Sequence, residues 1–262
     1  MTHTDTDRRR WTIFGVGLLA VAGLAAVGGV PAVAQQMPTG AAAREHLALA
    51  CAPRAVRELP APLARVVGST EPKKNMYGPG DRLIIASLVE GSLIPGQVYF
   101  VRRSLPPEDR GVQPQDPWVN LHTVGWVRIE AFEGDRAIAS VVHACDSIDP
   151  DDYLAPFEVP VVPAPLEETG EPDYETPGRL LFGTERRGVV GGGSFVVIDR
   201  GSDHGLRLGQ HVTFFRRGGG ATAPIVVLGQ GLVVIVQAES STVRIDTATQ
   251  PIYANDTVAI RR

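Results

Sequence analysis

The sequence predicts an all-β fold of two tandem, duplicated, small β-barrel-like domains joined by a proline- and acid-rich linker, and three observations predict it. First, 29 glycines and 21 prolines among 262 residues, without a collagen period, favour short strands joined by turns over helical bundles. Second, five blocks of sequence recur in the same order at offsets of 104 to 115 residues, which chance rarely produces. Third, residues 158–178 hold five prolines, six acids and no basic residue, a composition that cannot build a core and reads as an extended spacer. The expected organisation is therefore an export signal over residues 1–34 and an N-terminal segment over 35–62 tied to the first domain. A first β domain over 63–157, a linker over 158–177 and a second β domain over 178–262 follow.

The chain begins with an address. Arg8, Arg9 and Arg10 precede an uncharged run from Trp11 to Val30, and Ala32 and Ala34 then supply small residues at −3 and −1 before Gln35. This pattern predicts a signal peptide cleaved between Ala34 and Gln35 and a periplasmic or secreted protein that meets the membrane only during export. An uncleaved anchor is the alternative, since the run has the length of a membrane span; its glycines, Pro31 and the Ala-x-Ala site favour removal. Arg44 and Glu45 separate Cys51 from the apolar region, which argues against a lipid on that cysteine.

After cleavage two cysteines remain, Cys51 and Cys145, and an even count in an exported chain predicts one disulfide. A cysteine nucleophile is the sharper alternative, because His143 stands two residues from Cys145 and on a strand the two would share a face. No further base or orienting residue accompanies that pair. A short helix is expected over residues 41–50.

Each repeat reads as five or six short strands. Arg65 and Glu71 recur as Arg179 and Glu185; residues 77–85 lie against 190–198; Gly96 and Gln97 recur as Gly209 and Gln210, ahead of Arg102-Arg103 and Arg216-Arg217. Residues 125–129 are set against 231–235 and residues 148–152 against 252–256. Residues 232–236 form an apolar run suited to a buried strand, and residues 242–246 alternate as a half-exposed one does. Ring closure would remove exposed strand edges.

The succession Asp199, Gly201, Asp203, Gly205, Gly209 and Gln210, an apolar strand ending in Arg216-Arg217, Gly229 and Gly231, and then Asn255-Asp256 resembles the small β domains of exported bacterial envelope proteins. Such domains accompany LysM modules or form the C-terminal part of the flagellar assembly protein T. The resemblance covers residues 65–157 and 179–262 and implies a β scaffold docked in the cell envelope, with no catalytic residue and no cofactor.

A net charge of −4, or −5 without residues 1–34, lacks the footprint of nucleic-acid binding. The glycine-rich stretch 188–194 lacks the Gly-Lys-Ser/Thr ending of a phosphate loop and continues as strand. Asp199, Asp203 and His204 combine carboxylates and an imidazole, but tight turns require Asp and Gly in any case. His204 with His211, and His122 with His143, have no third ligand at metal spacing, so no metal site is expected. Asp246-Thr247 is followed by Ala248 where an aspartic protease has glycine.

The copies differ in one insertion. Residues 104–122 form a long loop containing Pro106, Pro107, Arg110, Pro117 and Trp118, where the second copy has a short turn near 218–224. Trp118 either anchors a partner or a sugar ring, or folds back over the end of the domain. The expectation is a non-enzymatic binding or scaffold module for another envelope protein or a glycan such as peptidoglycan. A hydrolase or metal-dependent enzyme using the Asp and His residues of the glycine turns is the alternative.

Overall fold

Apolar alternation, glycine turns and a near absence of helical periods lead to two rings of antiparallel strands in the computed structural model, which describes residues 41–105, 117–167, 170–183, 189–219 and 223–261. One helix, α1 (Ala41–Cys51), precedes the strands and stops just before Pro53, which cannot continue it. No helix among the described residues is long and apolar enough to cross a membrane.

The first ring contains β2 (Ala64–Ser69), β3 (Arg82–Ser87), β4 (Val98–Leu105), β5 (Val119–Glu133), β6 (Arg136–Ala144) and β7 (Tyr153–Pro156). They run in the order β5-β4-β7-β2-β3-β6, and β6 pairs back onto β5. A short strand, β1 (Arg54–Val56), adds to β5 from outside. The second ring is a closed barrel of β8 (Pro172–Gly183), β10 (Phe195–Ile198), β11 (His211–Arg217), β12 (Ile225–Val236), β13 (Ser241–Ala248) and β15 (Thr257–Arg261). β9 (Val189–Val190) and β14 (Ile252–Tyr253) pair beside it. Taken in chain order, the strands of both rings follow the same cyclic order. The fold is all-β and barrel-like, as the turn-rich composition predicts.

Each ring has its own interior. Leu83, Ile85, Val101, Ile129 and Leu154 fill the first, and Leu180, Ile198, Phe214, Val233 and Val258 fill the second. Strand β12 matches the apolar run at 232–236. On β13 the expected alternation is broken at Thr242, which is buried because its hydroxyl donates to the Pro53 carbonyl at 2.6 Å.

Two expectations about connections need correcting. The stretch 158–177 is not a free spacer: its last six residues belong to β8, whose backbone pairs with β15, and Leu166 N–H donates to the Gly209 carbonyl. Val159 and Val162 carry apolar surface that is better buried than solvated, and they pack on the outer faces of the first and second rings respectively. Nor is the segment 35–62 tied to the first ring alone. Ser240 Oγ donates to the Ala55 carbonyl at 2.8 Å, Arg244 pairs with Glu45, and Leu49 packs with Leu232 and Val234. The apolar residues of this segment thus divide between the two rings.

Candidate functional site

Cys51 ends α1 and Cys145 follows β6; they are joined in a disulfide across 94 residues, with Cα atoms 5.7 Å apart. The bridge fastens α1 to the outer face of the first ring, where Ala50, Phe100, Trp126 and Phe157 form a second apolar layer. His143 stacks on Trp126 with ring centroids 4.4 Å apart, and its ligand nitrogen lies within 4.8 Å of both sulfurs. With the sulfurs bonded to each other, neither offers a thiolate to a metal or acts as a nucleophile. Burial holds the His143 imidazole below its usual pKa.

Trp118 does not stand on the surface. It is only 4% exposed and packs with Ala55, Leu181, Phe182 and Val197, under the Arg57 guanidinium at 3.9 Å from the ring centroid. A large indole gains more from an apolar junction than from solvent, and that removes it as a ready anchor. Pro117 beside it is exposed. Pro106, Pro107 and Arg110 lie outside the described residues, as do Ala34 and Gln35 at the expected cleavage site.

The Asp199 and His204 side chains of the second-ring turns bond within the turns themselves. Asp199 accepts from the Arg179 backbone N–H at 2.6 Å and from Arg200. The Gly201 N–H donates to His204 Nδ1 at 3.1 Å, and Asp203 N–H donates to the Ala238 carbonyl in the 3-10 turn Ser202–His204. His211 sits on β11, and Asp246 pairs with Arg244 at 3.1 Å. In the first ring His122 lies 3.3 Å from Asp146, yet burial outweighs that carboxylate and lowers its pKa.

The structure assembles a different polar site that reading for catalytic motifs missed. Arg103 at the end of β4 forms a two-pronged pair with Asp152, Nε to Oδ1 at 2.7 Å and an Nη to Oδ2 at 2.8 Å; it also reaches Asp149 at 2.8 Å and the Ser147 carbonyl at 3.0 Å. The Asp152 carboxylate, 2% exposed, further accepts from the Asp149 N–H. Bidentate geometry of this kind is among the stronger polar contacts proteins make. Beside it opens a cavity of about 420 Å³ whose wall includes Tyr153, Arg65 and Asp151. The signal was present in the recurring blocks, which pair Arg103 and Asp152 with Arg216–Arg217 and Asp256.

Two further arginines, Arg54 and Arg102, are half-buried on the first ring and its added strand β1. Arg54 on β1 is pushed down to about 10 by burial and by neighbouring Arg102, against which Glu158 acts. Arg102 is lowered in the same way by burial, with Tyr153 and Glu158 opposing. Arg102 Nε and Tyr153 Oη are buried and have no hydrogen-bond partner among the described residues. No protein-family model matches the chain, and a search of curated proteins returns no relative.

Proposed function

We propose that the chain is a non-enzymatic, exported protein of the bacterial envelope, acting as a binding or scaffold module for another envelope protein or a glycan. It is built from two copies of a small β unit of the kind that accompanies LysM modules or ends the flagellar assembly protein T. The observation that carries this reading is that the conspicuous acids of both rings support turns in matching geometry. In the second ring Arg216 grips Asp256 through Nε at 2.5 Å and an Nη at 2.6 Å and reaches the Pro251 carbonyl, as Arg103 grips Asp152 and reaches Ser147. Asp256 also accepts from the Tyr253 N–H, as Asp152 does from Asp149.

Other details support a common origin. Asp151 and Asn255, each next to its clamp aspartate, have φ of 75° and 72°, in a region where Asp and Asn are the non-glycine residues best tolerated. Gly96 N–H donates to Ile129 and Gly209 N–H to Val233; the Ile129 and Val233 N–H groups donate back to Gln97 and Gln210. Strand register puts Gly125 level with Gly229 rather than with Gly231, the match favoured by sequence. A Cβ at Gly125 would run into the His143 carbonyl and one at Gly229 into the Thr247 carbonyl.

Export accords with the disulfide, since such bonds persist in oxidising compartments. Mass spectrometry of the protein recovered from its host should find Gln35 at the N-terminus. Co-sedimentation with isolated peptidoglycan and capture of envelope proteins test the binding role, and Asp203→Ala and His204→Ala should leave retention unchanged. Substrate turnover by the native chain that both variants lose would replace this reading with that of a hydrolase or metal-dependent enzyme.

A further inference from the structure

The rings differ most instructively at one matched cross-strand pair. In the second ring Phe215 on β11 faces Thr257 on β15; Phe215 is packed edge-on against Tyr174 at 4.9 Å, and Thr257 Oγ1 donates to the Phe215 carbonyl. At the same register in the first ring Arg102 on β4 faces Tyr153 on β7. Both polar atoms left over there, Arg102 Nε and Tyr153 Oη, lack a partner among the described residues, although Tyr153 is only 8% exposed. Buried polar groups in native proteins are nearly always satisfied, so an orphaned pair marks a place where a partner is missing.

Tyr153 also forms part of the wall of the cavity, and the chemistry around it is divided by sign. Its hydroxyl is raised in pKa by burial and drawn down by Arg102 and Arg65, so it lies in the field of two guanidinium groups. Arg65 is exposed and donates one hydrogen bond, to the Asp151 carbonyl at 2.9 Å, leaving further N–H groups for a ligand. Arg103 is already neutralised by Asp149 and Asp152. The Asp151 carboxylate has no hydrogen bond or ion pair among the described residues, and Leu59 and Pro60 add an apolar rim. A cavity of about 420 Å³ is in the range that holds small ligands. Three aspartates in its lining repel a polyanion, while Arg65 and the Asp151 carboxylate, neither in an ion pair among the described residues, suit a molecule carrying one charge of each sign.

We propose that this cavity binds a zwitterion, a free amino acid or short peptide, with its terminal carboxylate on Arg65 and the Tyr153 hydroxyl and its ammonium group toward Asp151. The proposal deepens the binding role and rests on the two-copy reading only for the choice of Arg102 and Tyr153 as the point of divergence.

Calorimetric titration of the full disulfide-bonded chain tests it without reference to peptidoglycan or protein capture, so the two readings fail separately. Alanylalanine should bind saturably, and its C-terminal amide should bind at least about tenfold more weakly, as expected for loss of a charge-assisted contact. Asp151→Asn should weaken the dipeptide by about tenfold, and Tyr153→Phe by about threefold or more, with melting temperature unchanged or raised. Inorganic phosphate should not compete. Absence of saturable binding up to about 10 mM dipeptide, a range that includes even weak ligands, would overturn the proposal. Equal affinity for the amide or for phosphate would also overturn it, as would a Tyr153→Phe variant that melts lower but binds undiminished.

Discussion

The first ring carries on its outer face the disulfide-tied end of α1, two half-buried arginines and a polar cavity, whereas the second ring, closed in the same strand order, is covered by Leu49, Ala55 and Trp118 through apolar contacts. Their clamps make the contrast concrete. Both hold an arginine on an aspartate and a backbone carbonyl, but Arg103 adds Asp149 as a second carboxylate, while Arg216 lies over the Tyr253 ring at 5.0 Å. The hydrogen bonds that close the turn are common to both. What surrounds the clamp differs, and differences at the periphery of a shared frame are where specialised binding can arise without loss of fold.

The largest expected effect breaks the tether that only the first ring has. Cys145→Ser, or reduction of the native bond, should lower stability by about 4 kcal/mol, the scale for releasing a loop this long from the unfolded-state constraint. Urea unfolding with and without reductant measures it. An unchanged midpoint would mean that the outer layer holds α1 without the bond.

The clamps provide the next comparison. Asp152→Asn should cost about 3 kcal/mol and Asp256→Asn about 2 kcal/mol, because removing one partner strands the charge of the other and the first clamp is the more enclosed. The exposures behind this order are 2% for the Asp152 side chain with 23% for Arg103, against 8% for Asp256 with 38% for Arg216. Equal costs, measured by denaturant unfolding, would show that Asp149 and the deeper burial add nothing.

Much of this frame was legible in the residues. Glycine turns, apolar alternation and recurring blocks announce strands, and Gly96-Gln97 and Gly209-Gln210 occupy equivalent turns. The even cysteine count gave the disulfide. Trp118 was not legible, because an indole before a strand reads the same whether it meets solvent or the Leu181–Phe182 surface, a contact more than 60 residues away. The spacer was misjudged for a related reason: its prolines and acids mark an irregular segment, but pairing of its last residues with β15 is a tertiary event. The cavity was hidden because Arg65, Arg103 and Tyr153 come from three strands with no motif in common.

Acid should then weaken the first ring. Burial holds His122 and His143 below the usual imidazole value of about 6.5, so in the folded protein both favour the neutral form. The unfolded chain binds these protons more readily, and stability rises with pH in that range. It is therefore complete above pH 6.5 and falls as pH drops from 6.5 toward the folded-state values. Denaturant unfolding at pH 7 and pH 5 should give a smaller difference for His122→Gln than for the native chain. A difference that the variant leaves unchanged would assign the acid sensitivity to other groups.

The smallest effect concerns the junction at which the N-terminal segment meets the second ring. Arg57 touches Glu239 at 3.0 Å and covers the Trp118 ring, but its side chain and that of Glu239 are 44% and 47% exposed. Water screens such a pair, and holding two long side chains costs entropy, so the coupling between Arg57 and Glu239 should be about 0.5 kcal/mol or less. Its stacking over Trp118 is worth about as much again at this exposure. A double-mutant cycle with Arg57→Ala and Glu239→Gln isolates the pair, because the indole contact is lost equally on both sides. A small coupling leaves the apolar contacts of Ala55 with Leu181 and Phe182 and of Leu49 with Leu232 and Val234, together with the buried bonds from Ser240 and Thr242, as the main ties of the segment to the second ring. A coupling above about 2 kcal/mol would contradict the exposure argument and make the ion pair a principal fastening.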